Sequence, residues 1–220
     1  MRKGDFVWGT VLAAVISLFI FPSTSAIIFD ATENYSYLMG FIKFAILATM
    51  GEFLTMRLKN GFWKKPNGLP YKALVWGIFG VLTVLMFNLY SAGVASVSSK
   101  GLLFVGGRAI KPFMLAFWTS TIMNLTFGPV FMAVHRIIDM TIIKKSSGES
   151  VHISEVITEI DWDHFITFIV GKTIPLFWIP AHTLAFLLPS RYRVVFAALL
   201  SIVLGVILSW QNRKIKSDTA

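Results

Sequence analysis

Residues 177–210 read FWIPAHTLAFLLPSRYRVVFAALLSIVLGVILSW, two long apolar runs joined by a Pro189-Ser190 corner. Pro175, Pro180 and His182 lie inside the first run, and Arg191 and Arg193 open the second. Water-soluble hairpins seldom carry so apolar a pair. In a bilayer a proline inside a spanning helix is tolerated, because neighbouring helices and polar side chains satisfy the carbonyl it frees. A polar residue at that depth is costly and turns toward another helix or a wet cavity. The segment 165–212 therefore reads as a transmembrane hairpin with a polar, proline-shaped inner face.

Composition extends this reading to the whole chain. Of 220 residues, 55% are hydrophobic and 14% charged, and the mean hydropathy is +0.71. Soluble domains carry about a quarter charged residues. The 20 Phe and 7 Trp suit lipid-facing walls and interfacial belts. The net charge of +9 resides in Lys and Arg that flank apolar runs and form no stripe on a soluble domain, which argues against nucleic acid as a partner. With no Cys, disulfides and thiolate metal sites are excluded.

Apolar runs long enough to span, about 20 residues each, fall at 6–29, 36–58, 71–94, 112–143, 165–188 and 191–212. The expected fold is an all-α polytopic bundle of about six helices, within a range of four to six, forming a single transmembrane domain over 1–220. The N-terminus has the basic start, apolar run and small residues (Ser23 to Ala26) of a cleavable signal. The stretch from Phe6 to Phe21 is long for one, and apolar residues resume at Ile27, which favours a retained first helix. The run 112–143 is too long for one straight crossing, and Gly128-Pro129 predicts a break within it.

Orientation follows from where Lys and Arg collect. A cytoplasmic N-terminus places twelve on that side: Arg2, Lys3, Arg57, Lys59, Lys64, Lys65, Lys72, Lys144, Lys145, Arg213, Lys214 and Lys216. The opposite side receives five, namely Lys100, Arg108, Lys111, Arg191 and Arg193, and Lys43, Arg136 and Lys172 remain at membrane depth. Both termini are then cytoplasmic. The long polar stretch 144–164 becomes a cytoplasmic loop, in which Ile153, Val156, Ile157 and Ile160 recur at helical spacing and predict a short amphipathic helix. Its acidic face, with His152 and His164 nearby, reads as a solvated surface and assigns no metal.

The polar residues within the spans form two layers. Glu52, Arg136 and Lys172 each lie roughly 10 Å from the cytoplasmic ends of their helices at ~1.5 Å per residue. Buried charges survive in lipid by pairing, so Glu52 is expected to meet Arg136 or Lys172, with His135 nearby. The alternative for the two cations is snorkelling to the headgroups. Lys43, Asn88 and the pair His182-Thr183 make a second layer nearer the outer face. Here the plain alternative is a snorkelling Lys43 and a His182 bonded to a carbonyl that proline has freed. Gly77, Gly80, Ser91, Ala92, Gly93 and Gly128 would let helices approach closely.

Several stretches together resemble the family of Mpv-seventeen and the peroxisomal membrane protein of twenty-two kilodaltons, which has bacterial relatives. Gly51 to Leu58 resembles its Gly-Asp-x-x-x-Gln stretch with Glu52 at the acidic position, and Phe127 to Phe131 its Phe-x-Pro segment. More specific are Trp178, Pro180, His182-Thr183 and Phe186, then Pro189, Tyr192-Arg193 and Leu208-Ser209-Trp210. The chain departs from the pattern in the residue between Trp178 and Pro180, in lacking the family's Gln and Asn there, and in the helix at 6–29. The resemblance implies a small multispanning protein with channel-like conduction and a part in membrane homeostasis; no cofactor is expected.

Two functions fit. One is a channel or carrier of small, positively lined and therefore anion-favouring solute paths, with Glu52, Arg136, Lys172, Lys43, Asn88, His182 and Thr183 along the path. The other is a structural protein that binds lipids or partner subunits, with its polar pairs sealed. Its partners are the bilayer and a small solute, it can assemble as an oligomer, and a bacterial cytoplasmic membrane is the expected location. No catalytic nucleophile, His-Glu-x-x-His or paired aspartates at depth suggest an enzyme.

Overall fold

In a computed structural model, which describes residues 3–218, the chain is helical throughout its ordered elements. Arg2, and the side chains of Leu208, Ser209, Trp210, Arg213, Lys214 and Lys216, lie outside the described residues. The helices are α1 (Lys3–Ile20), α2 (Pro22–Asn34), α3 (Ser36–Asn60), α4 (Leu69–Ser99), α5 (Lys111–Ser146), α6 (Ile153–Thr158), α7 (Trp162–Leu187) and α8 (Ser190–Asp218). Among the described residues five of them, α1, α3, α4, α5 and α7, are long and apolar enough to cross a membrane.

Three expectations are corrected. The run 6–29 is two helices, because Phe21 adopts an extended conformation (φ −72°, ψ 127°) and Pro22 starts a new helix. Proline cannot donate to the preceding turn and disfavours helical backbone just before it, but it is at home in a first turn. At 13 residues, α2 is too short to span. Conversely, α5 runs unbroken through Pro129, so the predicted break at Gly128-Pro129 is absent. The packed surroundings of a spanning helix tolerate the lost backbone bond. Third, the isoleucine stripe in the polar loop is half used. Helix α6 is a turn and a half that buries Val156, with Ile160 buried just beyond it, while Ile153 and Ile157 are exposed.

The chain divides into two compact units, and α4 and α8 give residues to both. The first holds residues 1–66, 73–81 and 198–220. Its core is a stripe along α3, namely Gly40, Lys43, Phe44, Leu47, Ala48 and Gly51, at the i, i+3, i+4 spacing of one helical face. Gly80 of α4 meets this face where a Cβ would overlap the carbonyl oxygen of Gly40, so only a glycine admits so close an approach. Helix α1 buries no residue, as suits a helix surrounded by lipid. Gly61, at φ 77°, ends α3 in the left-handed conformation that leaves its last carbonyls capped.

The second unit holds residues 67–72 and 82–197. Ala116, Thr119, Ser120, Met123 and Asn124 form the buried stripe of α5, and it is unusually polar. The partner face on α7 contributes Ile174, Ala181, Thr183, Ala185 and Phe186. Between Phe165 and Trp178, α7 is wound as a π-helix, with Pro175 inside it and Pro180 two residues past its end. Thr173 donates to the carbonyl of Phe168 five residues back, in keeping with this wider register.

Candidate functional site

The polar stripe of α5 meets α7 in a connected hydrogen-bond seam. Asn124 donates through Nδ2 to the carbonyl of Ser120 (2.8 Å) and to its hydroxyl (3.2 Å). Its Oδ1 lies 3.1 Å from Nδ1 of His182. With the amide assigned this way round, Oδ1 is the acceptor and Nδ1 carries the proton. Ser120 Oγ in turn donates to the carbonyl of Ile179 (2.7 Å), which also accepts from Thr183 Oγ1 (2.7 Å). That carbonyl immediately precedes Pro180. Side-chain hydroxyls from two helices thus share one carbonyl acceptor, while the backbone bond that Pro180 itself cannot make is the one its missing N–H would give a turn earlier.

Aromatic rings close over the histidine. Trp178, one turn before it, stacks on the imidazole with centroids 5.2 Å apart and planes at 25°. Phe87 of α4 meets it edge-on at 5.6 Å and also packs on Phe186. The indole Nε1 of Trp178 is buried and has no acceptor among the described residues. A buried donor without an acceptor forfeits about 1–3 kcal/mol, so its place beside the seam marks it chemically. Asn88, expected in the same layer, is exposed on α4 and donates to the carbonyl of Val84 one turn back.

Nearer the other end of this unit, Lys72 of α4 is buried and forms an ion pair with Asp139 of α5. His135 lies one turn before Asp139 and shares its electrostatic surroundings with Lys72 and Arg136. Arg136 and Lys172 are exposed, as snorkelling side chains are. In the polar loop Lys144 pairs with Glu159, and Asp161 accepts from the backbone N–H of His164 at the start of α7 (2.9 Å). Glu159 and Asp161 of that loop thus serve as a tether and a helix cap.

In the first unit, Glu52 accepts from the indole of Trp76 (2.6 Å). Lys43 is 5% exposed and donates to Thr32 Oγ1 on α2 (2.7 Å), with the ring of Phe19 at 5.8 Å from its Nζ. Asp5 of α1 takes a bidentate hydrogen bond from Arg57 (Nε to Oδ1, 2.8 Å; Nη2 to Oδ2, 3.1 Å) and a third from Trp63 Nε1 (2.8 Å). Trp8 stacks on Trp63 and donates to the carbonyl of Met50 (3.0 Å). This cluster, the Lys72–Asp139 pair and the Ser120–Asn124 half of the seam escaped the sequence reading. Asn124 and Ser120 carry the same i, i+4 spacing as a core stripe, which is the signal that finds them.

The C-terminal motif residues have structural work to do. Arg193 donates from Nε to the carbonyl of Leu188 (2.9 Å) and from Nη2 to that of Phe186 (3.0 Å), and its guanidinium lies 5.6 Å from the Phe186 ring. It thereby caps the end of α7 across the Pro189 corner. Comparison of the chain with protein-family models, with curated proteins and with solved structures finds no match.

Proposed function

We propose that the chain is a multispanning channel or carrier for small polar solutes, with the Ser120–Asn124–His182 seam and Trp178 as the point where solute is handled. One observation carries this reading: a buried indole donor without an acceptor stands beside a hydrogen-bonded histidine on a π-wound, proline-bearing helix. Polar groups at membrane depth mark solute and proton paths, and π-helical turns recur at functional sites. An excess of basic residues favours anions. In this reading α8 is a sixth span, the termini lie in the cytoplasm of a bacterial cell, and the resemblance of Trp178, Pro180, Phe186, Pro189 and Arg193 to the Mpv-seventeen family reflects shared descent.

A second reading has its own support. His182 is packed between Phe87 and Trp178 and bonded to Asn124, as in a sealed core, which fits a structural protein that binds lipids or subunits. Flux decides between them. Purified protein in liposomes is tested with a panel of small inorganic and organic ions, alongside His182→Ala and Asn124→Leu. The transport reading expects flux in the wild type and a change of tenfold or more in the variants. Absence of flux for every solute supports the structural reading, and flux indifferent to both variants removes the seam from the solute path.

A further inference from the structure

Among the described residues of the first unit, Lys43 is a buried cation. Its ammonium has three donors, and among the described residues its hydrogen-bond acceptor is Thr32 Oγ1 at 2.7 Å. That hydroxyl passes its own proton to the carbonyl of Ile28 (2.6 Å), so its lone pair is what Lys43 uses. The face of Phe19 at 5.8 Å adds a weak attraction. No carboxylate pairs with Lys43 among the described residues, although α2 carries two within two positions of Thr32. Asp30 and Glu33 are both exposed, and Asp30 instead accepts from Asn34 (3.0 Å). The helix that roofs Lys43 thus turns its hydroxyl inward and its acids outward.

A buried ammonium without a counter-charge is expensive, and a carboxylate at position 32 would neutralise it. We propose that Lys43, roofed by Thr32 of α2 and flanked by Phe19, is a binding site for a small monovalent anion. The bound anion is the counter-charge, taking the ammonium donors that Thr32 leaves over. The kink at Pro22 is what brings α2 over the site: Phe19 and Phe29, on either side of it, pack with ring centroids 6.4 Å apart. This site stands on the first unit alone and holds whether or not the chain conducts.

The test uses the full chain in detergent, melted at constant ionic strength in sodium gluconate, chloride, nitrate or acetate and followed by intrinsic tryptophan fluorescence. Gluconate is the bulky reference. At least one small anion should raise Tm saturably, by roughly 5–10 °C at a hundredfold excess over its Kd. Thr32→Asp supplies an internal counter-charge: it should keep or raise the basal Tm and abolish the anion shift. Lys43→Arg should retain the shift. Lys43→Met should lose it, and Thr32→Asp gives the decisive reading if that variant does not fold. Equal melting of the wild type in all four salts overturns the site, as does a shift that survives unchanged in Thr32→Asp, which would mark adventitious ion effects. Loss of solute flux with the shift retained overturns conduction alone; flux without any shift overturns the Lys43 site alone.

Discussion

Arg193 shows how single side chains hold this molecule together. Its guanidinium satisfies the carbonyls of Phe186 and Leu188, which the Pro189 corner leaves without helical donors. Arg193→Met should cost about 2 kcal/mol, the worth of hydrogen bonds to a charged group, read as a lower melting temperature in detergent. Arg193→Lys should recover only part, because an ammonium cannot fork to two acceptors as a planar guanidinium does. Asp5 works in the same way, tying the start of α1 to Arg57 and Trp63. Depth and polarity made Lys43, Glu52 and His182 legible in the sequence as groups that need partners. Their partners were not legible, because an indole, a threonine hydroxyl and an asparagine amide carry no charge and announce nothing at long range.

At the scale of elements, two proline positions have opposite outcomes. Pro22 ends one helix and begins another, while Pro129 sits inside an unbroken α5. The local rule against proline is the same for both, and it does not by itself tell a kinked site from a continuous one. The Pro22 kink can be measured because the chain has no native Cys. A Phe19→Cys, Phe29→Cys pair should be bridged by a short bifunctional thiol cross-linker, because the two rings lie 6.4 Å apart. Adding Pro22→Ala should suppress the bridge, since a straight helix separates those positions by about 15 Å. Equal cross-linking with and without proline would show that the kink has another cause. Helix packing gives a second prediction. Gly80→Val places a side chain where the Gly40 carbonyl lies, and should destabilise the first unit by about 2 kcal/mol. Thermal unfolding indistinguishable from the wild type would mean α3 and α4 are not in contact there.

At the scale of the whole molecule, hydrocarbon is the solvent that makes the rest intelligible. Helix α1 has no fully buried residue, and Phe6, Val7, Ile20, Phe21, Ile27 and Leu176 are among many large apolar side chains left on the surface. Water would make these a liability; acyl chains make them a wall. Four of the five described helices long and apolar enough to cross a membrane were placed by the sequence, because length and apolarity alone mark such a segment. The division of the first run was not legible, since its apolar residues continue straight across Pro22.

Helix α4 offers the most direct test of this account. Its 31 residues extend about 46 Å, more than a hydrocarbon core of about 30 Å, and its flanking loops expose Asn67 and Leu102. Asn67→Cys and Leu102→Cys, made singly in this Cys-free chain, can be probed in sealed vesicles with a membrane-impermeant maleimide. The account predicts that one position reacts from outside and that the other reacts only after the vesicles are opened. Labelling of both from the same side, or recovery of the protein in a detergent-free soluble fraction, would contradict it.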